Sequence, residues 1–156
     1  MDTLRFLSLL SDWWWRDKSG GDDSDSNIGC GCECDKEEKV FIREVKQRLD
    51  RTMIQQKLYL DHDITIVQVA KEVGTNRTYI SKAIHANAIS FFEYVNEYRI
   101  EHVINLLKEE GRKEHYTKTI PDIAYEAGFS NERTMNKYLL KKTGMRASDI
   151  RSGSRK

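Results

Sequence analysis

Apolar and polar positions follow a helical rhythm that occurs twice along this chain in the same order. In the first pass Ile66, Val69, Ala70 and Val73 recur at helical spacing, Gly74 breaks the run, and Tyr79, Ile80, Ala83 and Ile84 resume it. In the second pass Ile120, Ile123, Ala124 and Ala127 lead to Gly128, and Met135, Tyr138 and Leu139 follow. The spacing predicts helices over 65–72 and 76–85, then over 119–127 and 131–142. A pair of helices joined by a short turn containing glycine is the helix-turn-helix plan, whose second helix can enter the DNA major groove.

Local chemistry marks where these helices start and stop. Thr65 with Gln68 three residues on has the form of a capping box, each side chain serving the other's backbone amide. Asn76 and Asn131 are good N-cap residues for the second helix of each unit. Thr119 restarts the pattern, and Pro121 falls in the first turn, where a missing amide costs little. Gly74 and Gly128 can take the left-handed conformation that turns the chain sharply after a helix. Two helical hairpins of an ordinary all-α core would explain the apolar faces. They would not explain why both units carry caps and a polar or basic outer face.

Between the units, Phe91, Val95, Tyr98, Val103 and Leu106 recur at steps of three to five residues. Phe92, Tyr94, Ile100, Ile104 and Leu107 widen that stripe. A wide apolar stripe means burial on more than one side, so a long helix over about 90–109 packed between two subdomains is expected. Arg99 sits amid these apolar residues. A buried guanidinium without partners is too costly, so Arg99 is expected to be hydrogen-bonded or ion-paired rather than a DNA contact.

At this point the chain resembles the C-terminal DNA-binding domain of the AraC/XylS family of bacterial transcription regulators. The resemblance lies in 66–70 (IVQVA), 74–82 (GTNRTYISK), 91–99 (FFEYVNEYR), Leu106 and Leu107, and 120–124 (IPDIA). It continues in 128–130 (GFS), 141–145 (KKTGM) and 148–151 (SDIR), so it runs from about Val40 to Arg151. The resemblance implies an all-α fold of about seven helices, with a long linker helix joining two helix-turn-helix subdomains. It also implies double-stranded promoter or operator DNA and RNA polymerase as partners, and no cofactor. In the first recognition helix Thr78, Ser81 and Lys82 share one exposed stripe and align with positions that read bases in the family, with Arg77 beside them. In the second, the matching outward residues are Glu132, Arg133, Thr134, Asn136 and Lys137. Two departures fall in the second unit. Arg146 and Ala147 stand where Thr-Pro is common, and Met135 stands where an aromatic is usual. Both are expected to let the second subdomain open more readily than the first.

Charge changes the picture only once the chain is divided. The formal net charge is +1, but residues 1–38 hold four basic and ten acidic side chains. Residues 39–156 keep 22 of the 26 basic and 15 of the 25 acidic ones, a balance of +7. This asymmetry suits a basic binding domain, here 39–151 followed by a basic tail over 152–156, behind an acidic low-complexity segment over 1–38. The stretch 17–26 is too polar to bury a core, so the segment is expected to be poorly ordered. Leu4 to Trp15 is apolar, yet shorter than the ~20 residues that span a bilayer. It reads as an incidental segment or a short docking helix. Without the basic start and cleavage site of a signal peptide, a cytoplasmic location is expected.

Cys30, Cys32 and Cys34 could share a soft metal, although structural zinc usually takes four ligands at wider spacing. Incidental linker cysteines are the plainer reading, so no metal site is assigned. No phosphate-binding glycine loop, His-Glu-x-x-His or Gly-x-Ser-x-Gly motif occurs, and His62, His85, His102 and His115 are scattered. No catalytic residue is expected. Two other readings stay open: a helical module whose basic faces bind an acidic protein, and a regulator sensing metal or redox state through the three cysteines.

Overall fold

The computed structural model describes residues 33–86 and 89–153, with side chains from Lys36 onward in the first helix. Among the described residues there are seven α-helices, one 3-10 turn and no strand. They are α1 (Glu33–Gln56), the 3-10 turn Leu58–Leu60, α2 (Ile66–Val73), α3 (Arg77–His85) and α4 (Phe91–Gly111). Then follow α5 (Ile120–Glu126), α6 (Glu132–Thr143) and α7 (Ala147–Gly153). The expected all-α plan of two helix-turn-helix units around a long helix is the observed one. The expected edge at residue 38 falls inside α1, which is continuous through it.

Each unit has its own apolar core. Val45, Leu49 and Met53 recur every four residues along α1 and are fully buried against Val69, Ala70 and Val73 of α2 and Ile80, Ala83 and Ile84 of α3. The second core gathers Ile123, Ala124, Ala127, Phe129, Met135, Leu139 and Ala147. The long helix α4 serves both. Tyr94 and Val95 belong to the first core, and Ile100, Val103, Leu106 and Leu107 to the second. One member of its expected stripe is corrected: Phe92 is 60% exposed, because it lies in the first turn, on the side away from both cores.

Polar bonds then fix how α4 sits. Ser90 and Glu93 cap its start reciprocally, at 3.1 and 3.2 Å. Asp50 of α1 accepts hydrogen bonds from the Tyr94 and Tyr98 hydroxyls at 2.6 and 2.9 Å, tying α1 to α4. At the far end Glu110 is buried and accepts from the Thr117 and Lys118 amides at 2.9 and 3.2 Å, and from Lys113. The Lys113 hydrogen bond foremost, then those of Thr117 and Lys118, outweigh burial and hold the Glu110 carboxyl down at about 2. This anion pins the connection that delivers Thr119 to the start of α5.

Candidate nucleic-acid interface

The first recognition surface is built by two local devices. Thr65 and Gln68 close the capping box that starts α2. Gly74 ends it at φ 73°, and Asn76 accepts from the Tyr79 amide at 3.0 Å to start α3. Burial of Ile80, Ala83 and Ile84 then fixes which side of α3 faces out. Arg77, Thr78, Ser81, Lys82 and His85 line one shallow depression on that outer side. Arg77, Thr78, Lys82 and His85 are exposed and Ser81 is half-buried. All four residues expected from this helix are therefore together, with His85 beside them.

An element far away in sequence also reaches this face. Glu38 of α1 accepts from the Lys82 ammonium at 2.5 Å, both side chains being about half exposed. That hydrogen bond and the carboxylate charge push the Lys82 ammonium further above its ordinary value, so it stays cationic. Phe41, one turn on, packs edge-on against Tyr79 with ring centroids 4.9 Å apart. Sequence patterning could not find the Glu38–Lys82 pair, since 44 residues separate its members.

The second surface follows the same plan with different details. Thr119 and Asp122 form the capping box of α5, and Asn131 accepts from the Thr134 amide at 2.8 Å to start α6. Met135 and Leu139 are fully buried, which turns Arg133 and Lys137 outward. Lys141 continues their exposed stripe one turn further, a basic position the sequence pattern did not single out. Glu132, Thr134 and Asn136 are half-buried rather than fully outward, because they flank the buried row. The Asn136 amide donates to the Glu132 carboxylate at 3.1 Å, so those two side chains occupy one another. Lys142 pairs with Glu101 of α4, which draws its charge back onto the protein.

Arg99 is buried in hydrogen bonds, as expected of it. Its guanidinium donates to the carbonyls of Tyr59 and Asp61 at 2.7 Å each and to the Asn96 side chain at 3.4 Å. Cys30, Cys32 and the apolar run 4–15 lie outside the described residues, and Cys34 is described only as helical backbone. No helix among the described residues is long and apolar enough to cross a membrane.

Two capped units, each presenting the outer side of its second helix, define an architecture that can be compared with known proteins. A family model described as a helix-turn-helix domain, of the AraC type, matches residues 69–153. The chain belongs to the AraC-type helix-turn-helix family. It is similar in structure to the C-terminal domain of AraT, a response regulator from Geobacillus stearothermophilus, with a TM-score of 0.53 and 22% identity. That match covers 72% of this chain and 84% of the other, and it shows the shared fold. A second match is the C-terminal domain of the two-component response regulator yesN from Fusobacterium nucleatum. Its TM-score is 0.47 at 17% identity, covering 77% of this chain and 99% of that one. No curated protein sequence matches the chain. As a member of this family, the protein is a DNA-binding transcription regulator.

Proposed function

We propose that this AraC-type regulator recognises a specific double-stranded sequence by inserting α3 and α6 into successive major grooves on one side of the duplex. The observation that carries the reading is the shared outer side of α3, where Arg77, Thr78, Ser81, Lys82 and His85 line one depression. Lys82 can donate to guanine O6 and N7, and the Thr78 methyl can meet a thymine methyl. On α6 the exposed Arg133 and Lys137 take the corresponding part. Glu132 stands in the first turn of α6 and holds Asn136. There it favours the helix dipole, and the Glu132–Asn136 pair shapes the face more than it reads a base. The basic balance of 39–156 supplies counterion release and hence salt-dependent affinity. RNA polymerase receives the signal, and the cytoplasm is the place of action.

Selection of bound sites from a random duplex pool tests this. The reading expects an enriched motif in two parts about one helical turn apart. Lys82→Ala is expected to change the preferred base within one part only. Binding with a steep salt dependence but no enriched sequence would overturn it.

A further inference from the structure

We infer that a buried junction centred on Arg99 locks the two recognition helices in one phase, so that the protein accepts a single spacing between the two parts of its site. The inference rests on the reading that both helices engage DNA. Arg99 stands on α4 at the border between the two cores, after Val95 of the first and directly before Ile100 of the second. Its residue is 4% exposed. Its Nε and Nη2 donate at 2.7 Å to two carbonyls, those of Tyr59 and Asp61, on the turn that joins α1 to α2. Leu58 and Tyr59 of that turn pack on the first core, so the fork grips the first unit by its backbone. Nη1 reaches Asn96 of α4 at 3.4 Å.

The second unit closes on the same point. Gly128 sits at φ +87°, and a Cβ there would lie 2.7 Å from the Tyr59 carbonyl oxygen. The same Cβ would lie 3.0 Å from both the Leu60 carbonyl oxygen and Arg99 Nε. The next residue, Phe129, is buried in the second core, with its ring 5.8 Å from the guanidinium. On the outer rim Tyr125 of α5 lies against His62, ring centroids 4.5 Å apart. The glycine that turns the second unit thus abuts the Tyr59 carbonyl, one of the two that Arg99 holds in the first. A 21-residue helix alone sets the separation of the two units. Packing of each core on α4 places each unit on the helix, and this junction adds the direct contact between the two units that resists their leaning or rotating relative to one another. Lysine cannot replace the planar fork, because its donors radiate from a single point.

The test uses the full chain and a ladder of duplexes in which the two parts of a selected site are moved apart or together one base pair at a time. Each part alone is included. The wild type is expected to prefer one spacing over those two base pairs away by at least about tenfold, since DNA must twist or bend to compensate. Arg99→Lys is expected to reduce that preference to less than about threefold, DNA deformation no longer being needed, while affinity for each isolated part is unchanged. Asn96→Ala, a milder loss of one acceptor, relaxes the preference part-way and serves if the lysine variant does not fold. A wild type that tolerates all spacings equally, or variants that keep its full preference, would overturn the junction while leaving two-part recognition standing. Loss of isolated-part binding in both folded variants would make Arg99 a support of the individual recognition surfaces and also overturn it. Wild-type binding that ignores one part altogether would defeat the underlying reading.

Discussion

The two helix-turn-helix units start from one plan and come to depend on different things. In the first, the capping box uses the neutral Gln68, and Gly74 turns in open space with nothing within 4 Å of a Cβ built there. Its recognition helix leans on α1 through Phe41 and Glu38. In the second, the capping box uses the ionised Asp122, the approach is pinned by the buried Glu110, and Gly128 is wedged against backbone carbonyls. Its longer recognition helix leans on α4 through Lys142 and Glu101. The same local signals therefore carry unequal structural loads: the turn and capping box of the first unit are settled locally, and those of the second are built on charged and close-packed supports.

The two glycines give the sharpest contrast. Gly74→Ala meets only the cost of a left-handed residue, about 1–2 kcal/mol. Gly128→Ala adds an overlap with the Tyr59 carbonyl, for a total of about 2–5 kcal/mol. Denaturant midpoints of the two variants should differ in that order. Equal losses would mean that the close approach at Gly128 carries no weight.

Acid should separate the units next. Its hydrogen bonds from Thr119 hold Asp122 below the ordinary carboxylate value, and those from Lys113, Thr117 and Lys118 hold Glu110 at about 2. A carboxyl depressed in the folded state lends stability that is complete above its unfolded value and is lost as pH falls through the folded one. For Glu110 that window runs from 4.5 down to about 2. Amide exchange across α5 is expected to accelerate over this range relative to α2, whose Gln68 cap does not titrate. Glu110→Gln should flatten part of the difference. Matching acid responses in α2 and α5 would contradict the account.

What could be read from the sequence and what could not follow from the same distinction. Thr65 with Gln68, Asn76, Asn131 and the two turns were legible because each is settled within a few residues of chain. The expected residues Arg77, Thr78, Ser81 and Lys82 came out on one face for the same reason. The partners of Arg99 were not legible, since its acceptors are backbone carbonyls near residue 60, and a carbonyl leaves no mark in sequence. Nor was Glu38 beside Lys82, or the difference between Gly74 and Gly128, which only the tertiary packing creates. On α6 the period placed Glu132 and Asn136 outward, and only the packed structure shows them half-buried and bonded to each other.

A smaller effect is expected at the end of the second unit. The Arg146 amide already donates to Asp149 at 3.4 Å, but no hydroxyl or carboxamide caps α7 from that position. Arg146→Thr would supply the missing half of the box and should add about 0.5–2 kcal/mol. It should slow amide exchange across 131–140 towards the rate across 76–85, the second helix being the faster in the free wild type. Equal protection of α3 and α6 before the substitution would remove the asymmetry it is meant to repair. Smallest of all, Glu38→Gln frees Lys82 from an exposed pair and should tighten DNA binding by no more than about fivefold. If affinity falls instead, Glu38 supports the first recognition surface rather than competing with DNA for it.

Hydroxyl-radical footprinting of the protein on its selected duplex tests the central claim most directly. Two recognition helices reading together should leave two protected patches on one side of the duplex, their centres about one turn apart, roughly 34 Å. Lys82→Ala should weaken protection mainly in one patch, and Arg133→Ala mainly in the other. A single protected patch, unaffected by changes on α6, would contradict the claim that both units read DNA.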